Sequence, residues 1–293
     1  MEQKKAVFII NPISGGRSNL PVLDEIKKHL SPDIKAEIIR WDSLTQTEVI
    51  LKRIKENNFD TAVAVGGDGT INQVAQALVK SDKKLAIIPR GSGNGLARHL
   101  GIPLNVKAAI EVINKGKTKS IDSCFVNNIF FGCTSGIGFD ALIGKLFAES
   151  KRRGFITYFK LTMAQFMNYK AQDYKLYIDG DKEINTKAFF ITFANANQFG
   201  NNAYVAPNAD ISDGLLEVCI LKPFPLWSVV GIGRRIFNKT VDRSPYMDTY
   251  RSKTIIVKRE KQGPVHFDGE PAEMGELLRY EVLPNSLNVM VPY

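Results

Sequence analysis

Apolar and polar positions along the first 115 residues sort into short buried runs separated by amphipathic stretches. Residues 6–10, 61–65 and 85–88 are nearly unbroken apolar runs, Ala6-Val7-Phe8-Ile9-Ile10 in the first, and 35–41 is a more mixed one. Residues of about 21–30, 46–56, 70–79 and 105–115 instead carry apolar side chains at helical spacing. This alternation predicts a mostly parallel sheet with helices on its faces, a three-layer α/β domain. From Ser120 the rhythm changes. Stretches rich in β-branched and aromatic residues follow one another at 121–126, 129–134, 174–179, 186–194, 215–221, 253–259, 277–283 and 287–291, interrupted by helical spacing at 141–169 and 225–237. That is the pattern of a β-sandwich with two helical insertions. The chain thus divides near residues 117–120, into an α/β domain over 1–119 and a sandwich domain over 120–293.

Three of the early strands run straight into glycine-rich turns. Residues 61–65 feed Gly66-Gly67-Asp68-Gly69-Thr70, 85–88 feed Pro89-Arg90-Gly91-Ser92-Gly93-Asn94-Gly95, and 6–10 feed Asn11-Pro12-Ile13-Ser14-Gly15-Gly16. A turn between the carboxyl end of a strand and the amino end of a helix offers free backbone N–H groups to anions. Glycine there lets the backbone come close to a phosphate. Ligands on such sheets bind at the carboxyl ends of the strands, where all three turns fall. Together they predict one nucleotide-phosphate site built from several loops. Gly15-Gly16-Arg17-Ser18 lacks the lysine and spacing of a Walker loop, and Gly91-Ser92-Gly93-Asn94-Gly95 is not a Rossmann fingerprint. A carboxylate beside a phosphate repels it unless it handles a proton or a metal ion, so Asp68 reads as a working residue.

These residues resemble the diacylglycerol kinase and sphingosine kinase catalytic-domain superfamily, particularly its small bacterial lipid kinases. The matching pieces are Asn11-Pro12 with Ser14-Gly15-Gly16, Gly66-Gly67-Asp68-Gly69-Thr70 with Asn72, and Pro89 with Gly91-Ser92-Gly93-Asn94 and Leu96-Ala97. Gly138-Phe139-Asp140, Pro207 with Asp213-Gly214, and Asp268-Gly269-Glu270 follow in the family's order. Gly-Gly-Asp-Gly-Thr alone also occurs in NAD kinases; the Gly-Ser-Gly-Asn turn and the late Asp-Gly-Glu favour the lipid branch. Gln73 stands where many members carry Glu, and the second turn looks more like the sphingosine and ceramide kinase version, so the acceptor lipid stays open.

The resemblance implies a nucleotide-binding α/β domain joined to a β-sandwich, like NAD kinases and diacylglycerol kinases, and transfer of a γ-phosphate from ATP, carried with Mg2+, to a lipid hydroxyl. Phosphoryl transfer needs a neutralised polyphosphate, an aligned hydroxyl and an acceptor for its proton. Asp68 is the candidate base; a carboxylate is a weak one, which suffices where the transition state is loose. Asn11, Gly66, Gly67, Thr70, Ser92, Gly93, Asn94 and Arg153 form the implied nucleotide set. Asp268 and Glu270 are implied to face the nucleotide as further catalytic groups, although a tight hairpin turn alone also accounts for Asp-Gly-Glu. Asp140 matches an acid near the lipid head group. Asp213 matches a structural magnesium position, with Ser212 where some relatives carry a second acid. Two rival readings are a kinase of a soluble substrate, as in NAD kinases, and a non-catalytic lipid or nucleotide sensor. The three carboxylates Asp68, Asp268 and Glu270 count against the sensor.

Phe155, Phe159, Met163 and Phe166 recur at helical spacing after the basic run Lys151-Arg152-Arg153. They read either as core or, with the resemblance, as the lining for an acyl chain. Pro223-Phe224-Pro225-Leu226-Trp227 opens another helix and reads either as a hydrophobic hinge packed on the sandwich or as a group that enters a lipid interface.

Composition narrows the setting. The chain has 293 residues, 44% hydrophobic and 24% charged, as expected for a globular protein of two domains. No apolar stretch reaches the roughly 20 residues that span a bilayer, and Met1-Glu2-Gln3-Lys4-Lys5 leads into a strand, which predicts no signal peptide. Cys124, Cys133 and Cys219 are odd in number and lack ligand spacing, which predicts a reducing cytoplasm. His29, His99 and His266 make no ligand pair. The net charge of +9 is uneven: residues 1–120 hold 19 Lys/Arg against 12 Asp/Glu, the remainder 20 against 18. A basic protein concentrates at anionic membranes, so peripheral membrane contact is expected. No aromatic-basic patch or motif points to nucleic acid. A homodimer stays open.

Overall fold

The computed structural model describes residues 3–12, 20–41, 52, 54, 58–150 and 155–293. The predicted helix at 46–56, the Ser14-Gly15-Gly16 segment and Arg153 lie outside these residues, except for Lys52 and Ile54. The chain forms two compact units, Met1–Ile121 with Asn285–Tyr293, and Asp122–Pro284.

In the first unit, β1 (Lys4–Ile10), β2 (Ile34–Arg40), β3 (Thr61–Gly66) and β4 (Lys84–Pro89) lie parallel in the order β2-β1-β3-β4. β3 is buried at every position, as its unbroken apolar run requires of a strand covered on both faces. Phe8, Ile10, Val63, Val65 and Ile88 pack on one face against Val22 and Ile26 of the helix Leu20–His29 and Ile110 and Ile113 of the helix Val106–Lys115. The alternate residues Val7, Ile9, Ala62, Ala64, Leu85 and Ile87 are also buried, and point to the opposite face. The helix Asp68–Leu78 packs on β3 and β4 through Ile71, Val74, Ala75 and Leu78. The three-layer α/β expectation is met.

The second unit is the expected sandwich. Its strands are β5 (Lys117–Val126), β6 (Ile129–Phe131), β7 (Thr134–Gly138), β8 (Gln172–Ile178), β9 (Lys182–Ala188), β10 (Phe190–Ala194), β11 (Leu216–Leu221), β12 (Met247–Ser252), β13 (Thr254–Arg259), β14 (Gly263–Phe267), β15 (Glu270–Met274) and β16 (Leu277–Val291). One sheet runs β12-β11-β10-β7-β14-β15, all antiparallel; the other pairs β16, β13, β8 and β9, with β5 and β6 beside β16. Ile137, Ile191, Phe193, Val218, Ile220, Leu176, Val257, Leu278 and Tyr280 fill the space between. Phe193 stacks on Tyr280 with ring centroids 3.6 Å apart. The 141–169 insertion is two helices, Phe139–Glu149 and Phe155–Phe166, and the second insertion is the helix Ser228–Phe237. They cover the outer face of β10 and β11 through Phe139, Ile143 and Ile232 on Phe190, Cys219 and Leu221.

One difference concerns the end of the chain. The sequence separates 277–283 from 287–291, both in the sandwich domain; the structure has one strand, β16. It crosses Pro284, with Asn285 in the left-handed region (φ 49°), and its last residues pair in parallel with β4, Asn288 opposite Lys84. Residues Asn285–Tyr293 therefore belong to the first unit, and the chain changes unit twice.

Candidate active site

Two of the predicted phosphate loops, and Asn11 at the start of the third, meet at the carboxyl ends of β1, β3 and β4. Asn11 follows β1; its N–H donates to Val65 O (3.2 Å) and its Nδ2 to Thr70 Oγ1 (3.2 Å). Arg90, after β4, donates its N–H to Gly66 O at 2.7 Å. Gly67 and Gly91 then meet back to back: a Cβ on Gly91 would lie 2.7 Å from the Gly67 Cα and 2.9 Å from Asn94 Oδ1. A Cβ on Gly66 would collide with the Thr70 side chain, 2.5 Å from its Oγ1. Glycine is demanded here by close approach, which leaves both turns as bare backbone. Gly67 is the N-cap of the helix Asp68–Leu78 and makes no side-chain cap, so that end is suited to an anion.

Asp68 opens that helix and ties it to the second turn. Its Oδ2 accepts the Asn94 N–H at 2.9 Å and its Oδ1 the Gly95 N–H at 2.8 Å. Asn94 sits in the left-handed region (φ 51°), and its side-chain amide closes a ring with Gly91, accepting from the N–H (2.9 Å) and donating to the carbonyl (2.7 Å). Arg98 donates from Nε to Gly93 O at 3.0 Å. The structure thus brings together Asn11, Gly66, Gly67, Asp68, Thr70, Gly93 and Asn94, with Ser92 exposed at the tip of the turn. Gly91, quoted in the sequence as part of the second turn but not among the nucleotide set, and Arg98, visible there only as a cation three residues past the turn, join them.

The remaining candidates lie in the second unit. Asp268 and Gly269, with φ of 51° and 86°, form a two-residue turn closed by the Phe267–Glu270 pair between β14 and β15. Both positive φ values mark a type I′ hairpin, as the Asp-Gly pair predicts. The Asp268 carboxylate accepts the N–H groups of Gly132 (2.7 Å), Cys133 (2.8 Å) and Thr134 (3.0 Å), so it pins the hairpin to the start of β7. Glu270 is exposed. Asp140 is buried at the start of the helix Phe139–Glu149 and accepts Thr192 Oγ1 at 3.1 Å, with His266 Nε2 3.2 Å away. A side chain on Gly136 would strike both Asp140 and His266. His266 Nδ1 is buried and has no hydrogen-bond partner among the described residues. Thr192 was not singled out, and His266 was read only as making no ligand pair: each sits on a different strand, far along the chain from Asp140.

The four aromatic and methionine candidates divide. Phe166 turns inward, its ring 6.1 Å from Phe139 and 5.5 Å from Phe189, while Phe159 and Met163 are exposed. The Phe155 side chain lies outside the described residues. Asp213 accepts the Leu215 N–H at 2.9 Å and pairs with Arg251. A cation there would have to displace the arginine, and among the described residues no group of three His, Cys, Asp or Glu is placed to hold a metal. The bare glycine turns, by contrast, fit the phosphates of a nucleotide. The three cysteines are all buried and none is in a disulfide, and among the described residues no helix is long and apolar enough to cross a membrane.

The chain is similar to known proteins over nearly its whole length. Residues 5–126 match the diacylglycerol kinase catalytic domain, and residues 134–291 match the YegS C-terminal NAD kinase beta sandwich-like domain. A diacylglycerol kinase of Mycobacterium tuberculosis is 28% identical over 304 residues, 98% of this chain and 95% of the relative. Among solved structures, a diacylglycerol kinase from Bacillus anthracis str. Sterne has a TM-score of 0.77 at 20% identity, covering 99% of this chain and 98% of that one. An NAD kinase from Archaeoglobus fulgidus, in complex with ATP, has a TM-score of 0.52 at 15% identity, covering 98% and 93%. At these identities the two structures speak for the fold.

Proposed function

This chain belongs to the diacylglycerol kinase-like family of lipid kinases, and on that premise we propose that it transfers the γ-phosphate of ATP to a hydroxyl of a lipid head group. The observation that supports the reading most is the contact of Gly67 with Gly91, bridged by Asp68 to Asn94 and Gly95, at the ends of adjacent parallel strands. Two glycine turns locked to each other hold their backbone in a fixed arrangement at the open start of a helix, which is what binding and aligning a polyphosphate requires. ATP, with the magnesium it carries, supplies the phosphoryl group and a neutralising charge when bound. Asn11 and Thr70 hold the edge of that arrangement, and Ser92 offers a hydroxyl at its tip.

In this reading Asp68 has two tasks. It orders the 91–95 turn, and it accepts the proton of the attacking hydroxyl. Glu270 is assigned as a second acid for acceptor activation, Asp268 as the residue that holds its turn, and Asp140 as a contact of the head group.

Incubation of the purified protein with γ-labelled ATP and a total lipid extract tests the proposal. Label should appear in a lipid, and Asp68→Asn should lower the rate by at least about a hundredfold, the scale of general acid–base effects. Label that enters NADP when NAD is supplied, and no lipid, would assign the site to a soluble acceptor instead.

A further inference from the structure

Two helices of the second unit leave apolar faces in water. On the helix Ser228–Phe237, Ile232 is buried and Ile236 packs on the cluster that holds Phe139, Phe190 and Cys219. The opposite side is bare: Trp227 is 83% exposed and Val230 81%, with Leu226 and Phe237 also exposed. Positions 227, 230, 234 and 237 recur at three- and four-residue intervals, so these side chains form one stripe, with Arg234 within it. The helix Phe155–Phe166 behaves alike: Phe166 packs inward while Phe159, Met163 and the following Met167 are exposed. The two are neighbours, because the Phe166 ring meets the Phe224 ring at 5.9 Å and both pack on the same cluster. Scattered exposed apolar residues need no explanation; a continuous stripe that includes a tryptophan marks an interaction surface.

The charges beside the stripe say what it meets. Residues 155–170 and 223–247 together hold six Lys/Arg and one acid, Asp242. The rest of the chain from residue 121 onward holds 14 Lys/Arg against 17 Asp/Glu. Basic charge is therefore gathered in the two segments that carry the exposed apolar faces, and the surrounding sandwich is acidic. An apolar face flanked by cations and nearly free of acids is the composition of a helix that lies in the interface of an anionic bilayer. We propose that Leu226, Trp227, Val230 and Phe237, with Phe159, Met163 and Met167, form a docking surface for a bilayer that contains anionic lipid. This goes beyond the catalytic reading, since neither Trp227 nor Val230 is assigned to nucleotide or acceptor.

The two tryptophans make the test direct, because Trp41 is 5% exposed and Trp227 83%. Protein without nucleotide is mixed with vesicles of equimolar phosphatidylglycerol and phosphatidylcholine, or of phosphatidylcholine alone, and followed by flotation, tryptophan emission and acrylamide quenching. We expect flotation with the anionic vesicles only, weakened by salt, with a blue shift and reduced quenching that Trp227→Phe abolishes. Trp227→Asp with Val230→Asp, or the milder Trp227→Ser, should bind at least about tenfold more weakly at unchanged melting temperature, since they remove the inserted apolar groups. The same variants should keep wild-type turnover on a total lipid extract dispersed in detergent, so that loss of docking and failure of the lipid-kinase reading are told apart. Failure to float, equal binding to neutral vesicles, or wild-type binding by the aspartate variant would overturn the proposal. So would a dimer in sedimentation with Trp227 already shielded from acrylamide, which would make a second copy the occupant.

Discussion

Replacing Gly91 by alanine tests the site through a single methyl group. The new Cβ would sit 2.7 Å from the Gly67 Cα, about 0.7 Å inside the 3.4 Å at which ordinary contact begins, and 2.9 Å from Asn94 Oδ1. Gly91 is not among the positive-φ glycines, so alanine suits the local backbone and the cost comes from the approach of the turns. Overpacking of this kind costs about 1–3 kcal/mol. It should lower the melting temperature by about 2–10 °C, at a few degrees per kcal/mol. The turn can relieve the clash only by moving away from Gly67, which pulls Asn94 and Gly95 from Asp68. A donor displaced by about 0.7 Å from a 2.9 Å bond is out of hydrogen-bond range. The same displacement moves the turn out of the arrangement proposed to hold the phosphates, which should weaken ATP, by titration calorimetry, at least about tenfold. Gly101→Ala is the control. Gly101 has φ 69° with nothing within 4 Å of a Cβ, so alanine there should cost about 1 kcal/mol of torsional strain and leave ATP affinity alone. A folded Gly91→Ala protein that binds ATP like the wild type would refute the close-approach argument.

The other predictions separate structural from chemical roles. Asp68→Asn replaces one acceptor with a donor facing an N–H, so it should lower the melting temperature by about 4 °C as well as turnover, since a bond to a charged group contributes about 1.5–3 kcal/mol; calorimetry and the kinase assay read the two effects. Asp268→Asn should destabilise by about 2 kcal/mol, because the carboxylate holds three N–H groups, whereas Glu270→Gln, at an exposed position, should leave the melting temperature unchanged and lower turnover at least about tenfold. Glu217 is buried, and that burial, with Asp242 nearby, raises its carboxyl above the ordinary range. The folded protein then keeps a proton that the unfolded chain has lost, so stability falls as pH rises between the ordinary value of 4.5 and the higher folded value. Glu217→Gln should therefore melt higher than wild type at about pH 7 and show no gain below the ordinary carboxylate range; melting curves across pH would check the sign.

The glycine turns were legible because strand, turn and helix are contiguous in the chain and the residue types follow from backbone geometry. What the turns do to each other was not. Asp68 meets Asn94 and Gly95, 26 and 27 residues away, and no local pattern announces that pairing. The same limit applies to Asp140 and His266, 126 residues apart. β14 and β15 escaped the β-branched pattern because Pro264, His266, Pro271 and Glu273 occupy them, although the Asp-Gly turn between them was plain. β16 read as two strands because Pro284 cannot donate a ladder bond. The run Pro223–Trp227 read either as a hinge packed on the sandwich or as a group for a lipid interface, and tertiary packing divides it: Phe224 packs on the cluster while Leu226 and Trp227 are exposed.

The most direct test of the central claim is a competition in one tube. The wild-type protein receives ATP, magnesium, a total lipid extract in detergent micelles and NAD, and the products are identified by mass spectrometry. The account predicts a phosphorylated lipid formed in step with ADP, no NADP, and loss of the lipid product in Asp68→Asn. NADP formed in step with ADP, with no lipid phosphorylated, would contradict it.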